Sequence, residues 1–128
     1  MTDTPSGKPQ LSWAGKFWIA CRGIWWGIRG QSSFLIQIPA AILAISLAVF
    51  FQFDALRWMI LLLCIGAVIT TELINSAIER LFHGLPTEWQ NQCWPALDIA
   101  AGAVLMASLF ALVVGLILFL PPILLYFR

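Results

Sequence analysis

Charge is what this sequence has least of. Only 10% of its 128 residues are Asp, Glu, Lys or Arg, seven basic against six acidic, for a formal net charge of +1. A nucleic-acid partner calls for a basic field, and this balance excludes one. The three cysteines, Cys21, Cys64 and Cys93, are far apart and odd in number. They form no CxxC pair and read as small apolar residues, not as metal ligands or disulfides. No internal repeat and no low-complexity tract is present. A cleavable signal pattern is also missing. "MTDTPSGKPQ" is polar, and the first apolar stretch is broken by Lys16, Arg22 and Arg29.

What the chain has in place of charge is hydrocarbon. It is 61% hydrophobic, with a mean hydropathy of +0.91. A soluble fold this short cannot hide so much apolar surface, so the composition implies a small integral membrane protein. Seven tryptophans, Trp13, Trp18, Trp25, Trp26, Trp58, Trp89 and Trp94, include several near the expected membrane edges, where amphipathic rings prefer to sit.

The residues divide into an all-α plan. Residues 1–11 are rich in Pro, Gly, Ser and Thr and read as a disordered N-terminus. Residues 12–30 have a helical period. Trp13, Phe17, Ala20, Cys21, Ile24 and Ile28 fall on one side and Arg22 and Arg29 opposite. That pattern predicts an amphipathic helix on the membrane surface, although a generic anchor has the same periodicity. Three apolar segments follow, over 34–51, 55–81 and 96–120. Each is long enough to span roughly 30 Å of hydrocarbon at about 1.5 Å per residue. Pro39 is expected to kink the first. Residues 83–95 read as a polar loop, and Pro121 and Pro122 as the end of the third span. Lys8, Lys16, Arg22, Arg29 and Arg80 fall on one side of the membrane, and only Arg57 and Arg128 on the other. The positive-inside rule then places the N-terminus and the 83–95 segment in the cytoplasm and the C-terminus outside.

Against this background "TTELINSAIER", residues 70–80, stands out. On a helix Glu72, Asn75 and Glu79 lie within an arc of about 60°, in a stripe about 10 Å long. Asp98 opens the third span from the same side. A carboxylate taken out of water is costly unless it is paired, hydrogen-bonded or bound to a cation. The chain has too few basic side chains at that depth to neutralise three acids. A divalent cation is the natural counter-ion, because Mg²⁺ in phosphoryl-transfer sites takes one or two carboxylates together with substrate phosphates. A desolvated Glu can also serve as a general base. A stripe that only binds helices together stays open as the other reading. His83 is a lone loop histidine with no assigned role, and Ala103 and Ala107 suit close helix packing. Three thin spans shelter a polar site poorly, which points to an oligomer.

These residues resemble the prokaryotic diacylglycerol kinase family, which includes the undecaprenol kinases. The resemblance covers roughly residues 15–110. "ELINSAIER" looks like the family signature on its second transmembrane helix. "LDIAAGAVLMAS" resembles the start of the third, and "ACRGIWWGIRGQSSF" the N-terminal region, with Gly23 and Phe34 in register. The resemblance implies a homotrimer of three-span protomers with a surface helix, in a bacterial cytoplasmic membrane. It implies transfer of the γ-phosphate of Mg-ATP to the hydroxyl of a membrane lipid, at a site between protomers. By position, Glu72 would be the general base, Asn75 would support it, Glu79 would bind Mg²⁺ and Asp98 would contact the nucleotide. The chain departs from the family pattern at four places. Gln31 stands where the family has a second metal-binding Glu, and Ser33 where an Asn is frequent. Leu97 replaces a phosphate-binding Lys, and His83 replaces an Asp. Arg22, Arg29 or Arg80 of a neighbouring protomer is a candidate substitute for the lysine. The departures also admit a family member without kinase activity, serving as a membrane scaffold or subunit.

Overall fold

The computed structural model describes residues 11–128. The N-terminal disorder read over 1–11 therefore lies, except for Leu11, outside the described residues. Four helices follow in order: α1 (Trp13–Ile28), α2 (Phe34–Phe50), α3 (Ala55–His83) and α4 (Thr87–Tyr126).

Local chemistry sets most of the boundaries. Ser12 caps α1, its Oγ accepting from the Gly15 N–H at 3.2 Å. Between α2 and α3 the chain reverses at Gln52, which takes a positive φ of 50°. Asp54 then caps α3, accepting from the Arg57 N–H at 2.8 Å. Arg80 and His83 occupy the last turn of α3, where cationic side chains favour the helix dipole. Gly84 closes that helix.

The sequence reading of α4 needs correction at both ends. Residues 83–95 are not one loop. The chain turns only around Gly84–Pro86 and is helical from Thr87. Pro86 lacks an N–H at a place where no intrahelical bond is required, so it opens the helix at no cost. Residues 87–94 contain no further glycine or proline to stop it. Pro95, Pro121 and Pro122 all lie inside the helix, which runs on to Tyr126. In an apolar medium the helix is the one conformation that satisfies nearly all the backbone, and this outweighs the few bonds a proline removes.

α3 and α4 form the packed pair, and α1 and α2 touch α3 over shorter stretches. The small core sits at the α2–α3 turn, where Ala48, Phe53, Leu61 and Leu118 are buried. Phe53 stacks on Phe119 with ring centroids 4.9 Å apart. At the other end of α3, Phe82 packs on Trp94 at 5.0 Å. Elsewhere large apolar side chains point outward, as Leu63 (74% exposed) and Ile99 (73%) do. Such a surface belongs in lipid or against other helices.

α3 and α4 are long and apolar enough to cross a membrane, while α2 is a shorter apolar helix. The chain is a multi-span α-helical membrane protein. The sequence reading gave three spans, over 34–51, 55–81 and 96–120, with the first the shortest. The 17 residues of α2 extend only about 25 Å, somewhat less than a typical hydrocarbon core.

Candidate functional site

α3 carries the polar stripe on the face it turns toward α2 and the α1–α2 junction. Glu72 is 1% exposed, Asn75 6% and Ser76 0%. Ser76 returns its hydroxyl to the helix, donating to the Glu72 carbonyl at 2.8 Å. Glu72 receives a bond from across the helix pair: the Gln37 amide Nε2 of α2 donates to its Oε2 at 3.0 Å. The amide's own oxygen, Gln37 Oε1, is buried without a partner among the described residues. Glu72 is thus a buried carboxylate held by a neutral donor.

Two turns along α3, Glu79 is half-buried and receives two amides. Gln31 Nε2 donates to its Oε2 at 2.6 Å, and Asn75 Nδ2 to its Oε1 at 3.0 Å. Asn75 Oδ1 is buried and has no partner among the described residues. The stripe is therefore a chain of carboxylates and amides drawn from α2, the α1–α2 junction and α3.

The sequence-derived candidates divide in two. Glu72, Asn75, Glu79 and Gln31 come together. Asp98 does not: it lies on an exposed face of α4 and stays outside the hydrogen-bonded group within one chain. Leu97, beside it, is partly buried. Arg80, one of the candidate substitutes for the lysine, bonds within its own chain. Its Nη2 donates to the Trp26 carbonyl and, at 3.0 Å, to the Arg29 carbonyl of its own chain. Sequence reasoning missed Gln37. The available signal was a single amide inside the apolar run "FLIQIPAAIL", an expensive placement that marks function or a buried partner.

Among the described residues no three His, Cys, Asp or Glu side chains gather as a metal-binding group. The chemistry around Glu79 still fits a hard cation. Turning the terminal amides of Gln31 and Asn75 would present two carbonyl oxygens beside the carboxylate, and the unpartnered Asn75 Oδ1 already lies buried in this group. An all-oxygen set of this kind suits Mg²⁺ and not a thiophilic metal. It carries a single formal negative charge.

An apolar groove of about 690 Å³ runs between α2, α3 and α4, with Gln37 and Ser108 as its polar lining. The amide that holds Glu72 is thus bordered by a hydrocarbon-lined channel.

A buried carboxylate within a helix long enough to cross a membrane, with a second acid two turns away that accepts from two amides, defines a membrane protein with a polar site among its helices. Comparison with known proteins gives the family. Residues 18–119 match the profile described as prokaryotic diacylglycerol kinase, and the chain belongs to that family. It is 32% identical over 104 residues to an undecaprenol kinase of Bacillus subtilis, covering 81% of this chain and 85% of that protein. It is 29% identical over 105 residues to a diacylglycerol kinase of Escherichia coli K12, covering 82% and 84%. A diacylglycerol kinase of Synechocystis is 31% identical over 109 residues, covering 84% of this chain and 62% of that protein. No solved structure matches the chain at a significant level.

Proposed function

We propose that this protein is an ATP-dependent lipid kinase. It transfers the γ-phosphate of Mg-ATP to the hydroxyl of a membrane lipid alcohol, diacylglycerol or a polyprenol. It works at the cytoplasmic face of a bacterial inner membrane as a homotrimer of three-span protomers. The observation that carries the reading is Glu72. A carboxylate 1% exposed on a helix long enough to cross a membrane, in a chain of this family, supports a role in taking the proton of a lipid hydroxyl.

In this reading Glu72 accepts the proton of the lipid hydroxyl as its oxygen bonds to the γ-phosphorus. The bond from that phosphorus to the β–γ bridging oxygen breaks, and ADP leaves with the electron pair. Gln37 keeps the acceptor oxygen of Glu72 oriented through its 3.0 Å bond. Glu79, with the carbonyls of Asn75 and Gln31, would hold Mg²⁺, which when bound offsets phosphate charge. Asp98, exposed on α4, would contact the nucleotide of a neighbouring protomer. The groove beside Gln37 gives the lipid tails an apolar surface.

The two amides donating to Glu79, with Leu97 in place of a lysine, favour a second reading: a family member that keeps the membrane scaffold without phosphotransfer. One experiment separates the two. Purified protein is incubated with labelled Mg-ATP and a panel of lipid alcohols, and the lipid products are resolved. Labelled lipid, together with nucleotide-dependent thermal stabilisation, is the expected result. No labelled product and no stabilisation would leave the scaffold reading.

A further inference from the structure

We infer that Arg80 is a positioning residue: its guanidinium ties the junction between α1 and α2 to α3, and through that junction sets Gln31 against Glu79. The inference rests on Glu79 serving as the cation end of a kinase site.

The last carbonyls of any helix lack intrahelical donors. At the end of α1 the Arg29 N–H closes on the Trp25 carbonyl at 3.1 Å. Arg80 Nη2 then reaches both Trp26 O and Arg29 O. A cation at a helix C-terminus is favoured by the dipole as well as by the bonds. Just beyond, Gly30 takes a φ of +90°, a conformation open to glycine at little cost. That turn brings Gln31 back to Glu79, where its amide donates at 2.6 Å.

Glu79 and Arg80 are consecutive on α3. One helix therefore grips the segment 26–31 at both ends, by the guanidinium at Trp26 and Arg29 and by the carboxylate at Gln31. The two helices also meet closely. A Cβ at Gly27 would lie 2.5 Å from Leu73 Cδ2, so within the gripped segment α1 lies directly on α3, against a residue about two turns before Arg80. If Arg80 lets go, the Gln31–Glu79 bond is the side-chain hydrogen bond left between the junction and α3 among the described residues. Gln31, whose Nε2 now meets Glu79, would then be held less firmly where a turned amide could offer its oxygen to a cation.

A direct phosphate contact is the competing reading of Arg80, and a double-substitution cycle separates the two. Arg80→Ala, Gln31→Leu and the combined variant are compared with the natural chain in one detergent. Amide hydrogen exchange is followed across residues 26–31, and KM for Mg-ATP is measured separately from kcat. Loss of Arg80 should speed exchange across 26–31 by roughly tenfold or more. It should raise KM for Mg-ATP by roughly tenfold, the range seen when a residue supporting a metal ligand is removed. With Gln31 already replaced, removing Arg80 should raise KM no further. Arg80→Met, which keeps the apolar stem, serves if the alanine variant does not fold. Unchanged exchange across 26–31 overturns the inference. So do KM effects that multiply independently, because Arg80 then acts on the nucleotide without Gln31. If the natural chain phosphorylates no lipid alcohol, the kinase reading fails, and the exchange measurement alone decides the role of Arg80.

Discussion

Replacing Glu72 by Gln separates a catalytic carboxylate from a structural one, because the two roles predict opposite signs for stability. Glu72 is 1% exposed, and its side chain is met by a single amide donor. Burying an ion costs several kcal/mol after relaxation, and a hydrogen bond to a charged group returns about 1.5–3 kcal/mol of it. Glu72→Gln removes the ionic cost and keeps the shape. It also lets the new amide pair with Gln37 in both directions, which gives the buried and unpartnered Gln37 Oε1 a donor. The variant should therefore be as stable as the natural chain or more so, by about 1 kcal/mol or more. Turnover should move the other way. Loss of a general base slows reaction roughly 10²–10⁴-fold, a barrier increase of about 2.7–5.5 kcal/mol. The assay is phosphate transfer to a lipid alcohol in mixed micelles at saturating Mg-ATP, with thermal unfolding followed on the same preparations. Near-normal turnover would refute the base assignment. A variant that loses turnover and stability together would show Glu72 to be a structural link between α2 and α3.

Three further outcomes follow from the same geometry. Gln37→Leu removes the one side-chain donor to Glu72, and kcat should fall about tenfold with little change in KM for Mg-ATP, as expected for one charge-assisted bond; an equal rise in KM would place Gln37 at the nucleotide instead. Gln31→Glu sets a second carboxylate against Glu79, so thermal stability should fall without divalent cations and recover on adding Mg²⁺, by about 2.7 kcal/mol at a hundredfold excess over Kd; indifference to Mg²⁺ would argue against a cation site there. Gly27→Val crowds Leu73 and should loosen α1 from α3, raising hydrogen exchange along α1; unchanged protection would mean that Leu73 simply turns aside.

The sequence made the polar stripe legible because helical spacing alone puts Glu72, Asn75 and Glu79 on one face, and α3 is helical through all three. Gln31 was also legible, though through family position and not through geometry. The remaining residues show the limits of each signal. Asp98 was placed with the others by depth, but depth fixes height along the membrane and not direction around the helix. On α4 it faces outward. The start of α4 was hidden by Pro95 and its end by Pro121 and Pro122, which mark breaks in water and are absorbed in a long apolar helix. Arg80 was legible as a charge, but its use was not. Whether an arginine meets a phosphate or a helix end depends on a chain reversal at Gly30 that no periodicity announces.

The unequal lengths of the helices reach beyond the site. α2, and α3 from Ala55 to Glu72, are each about 26 Å long, while the uncharged stretch of α4 from Ile99 to Tyr126 is about 42 Å. On the proposed topology the surrounding bilayer is drawn thinner by one pair and thicker by the other. Tilting can relieve only the longer helix. Glu72 sits at the top of the shorter pair, so bilayer thickness decides whether its carboxylate lies among headgroups or under them. Lipids of different acyl length would then tune how readily a substrate hydroxyl reaches it, with no change in the protein's own contacts.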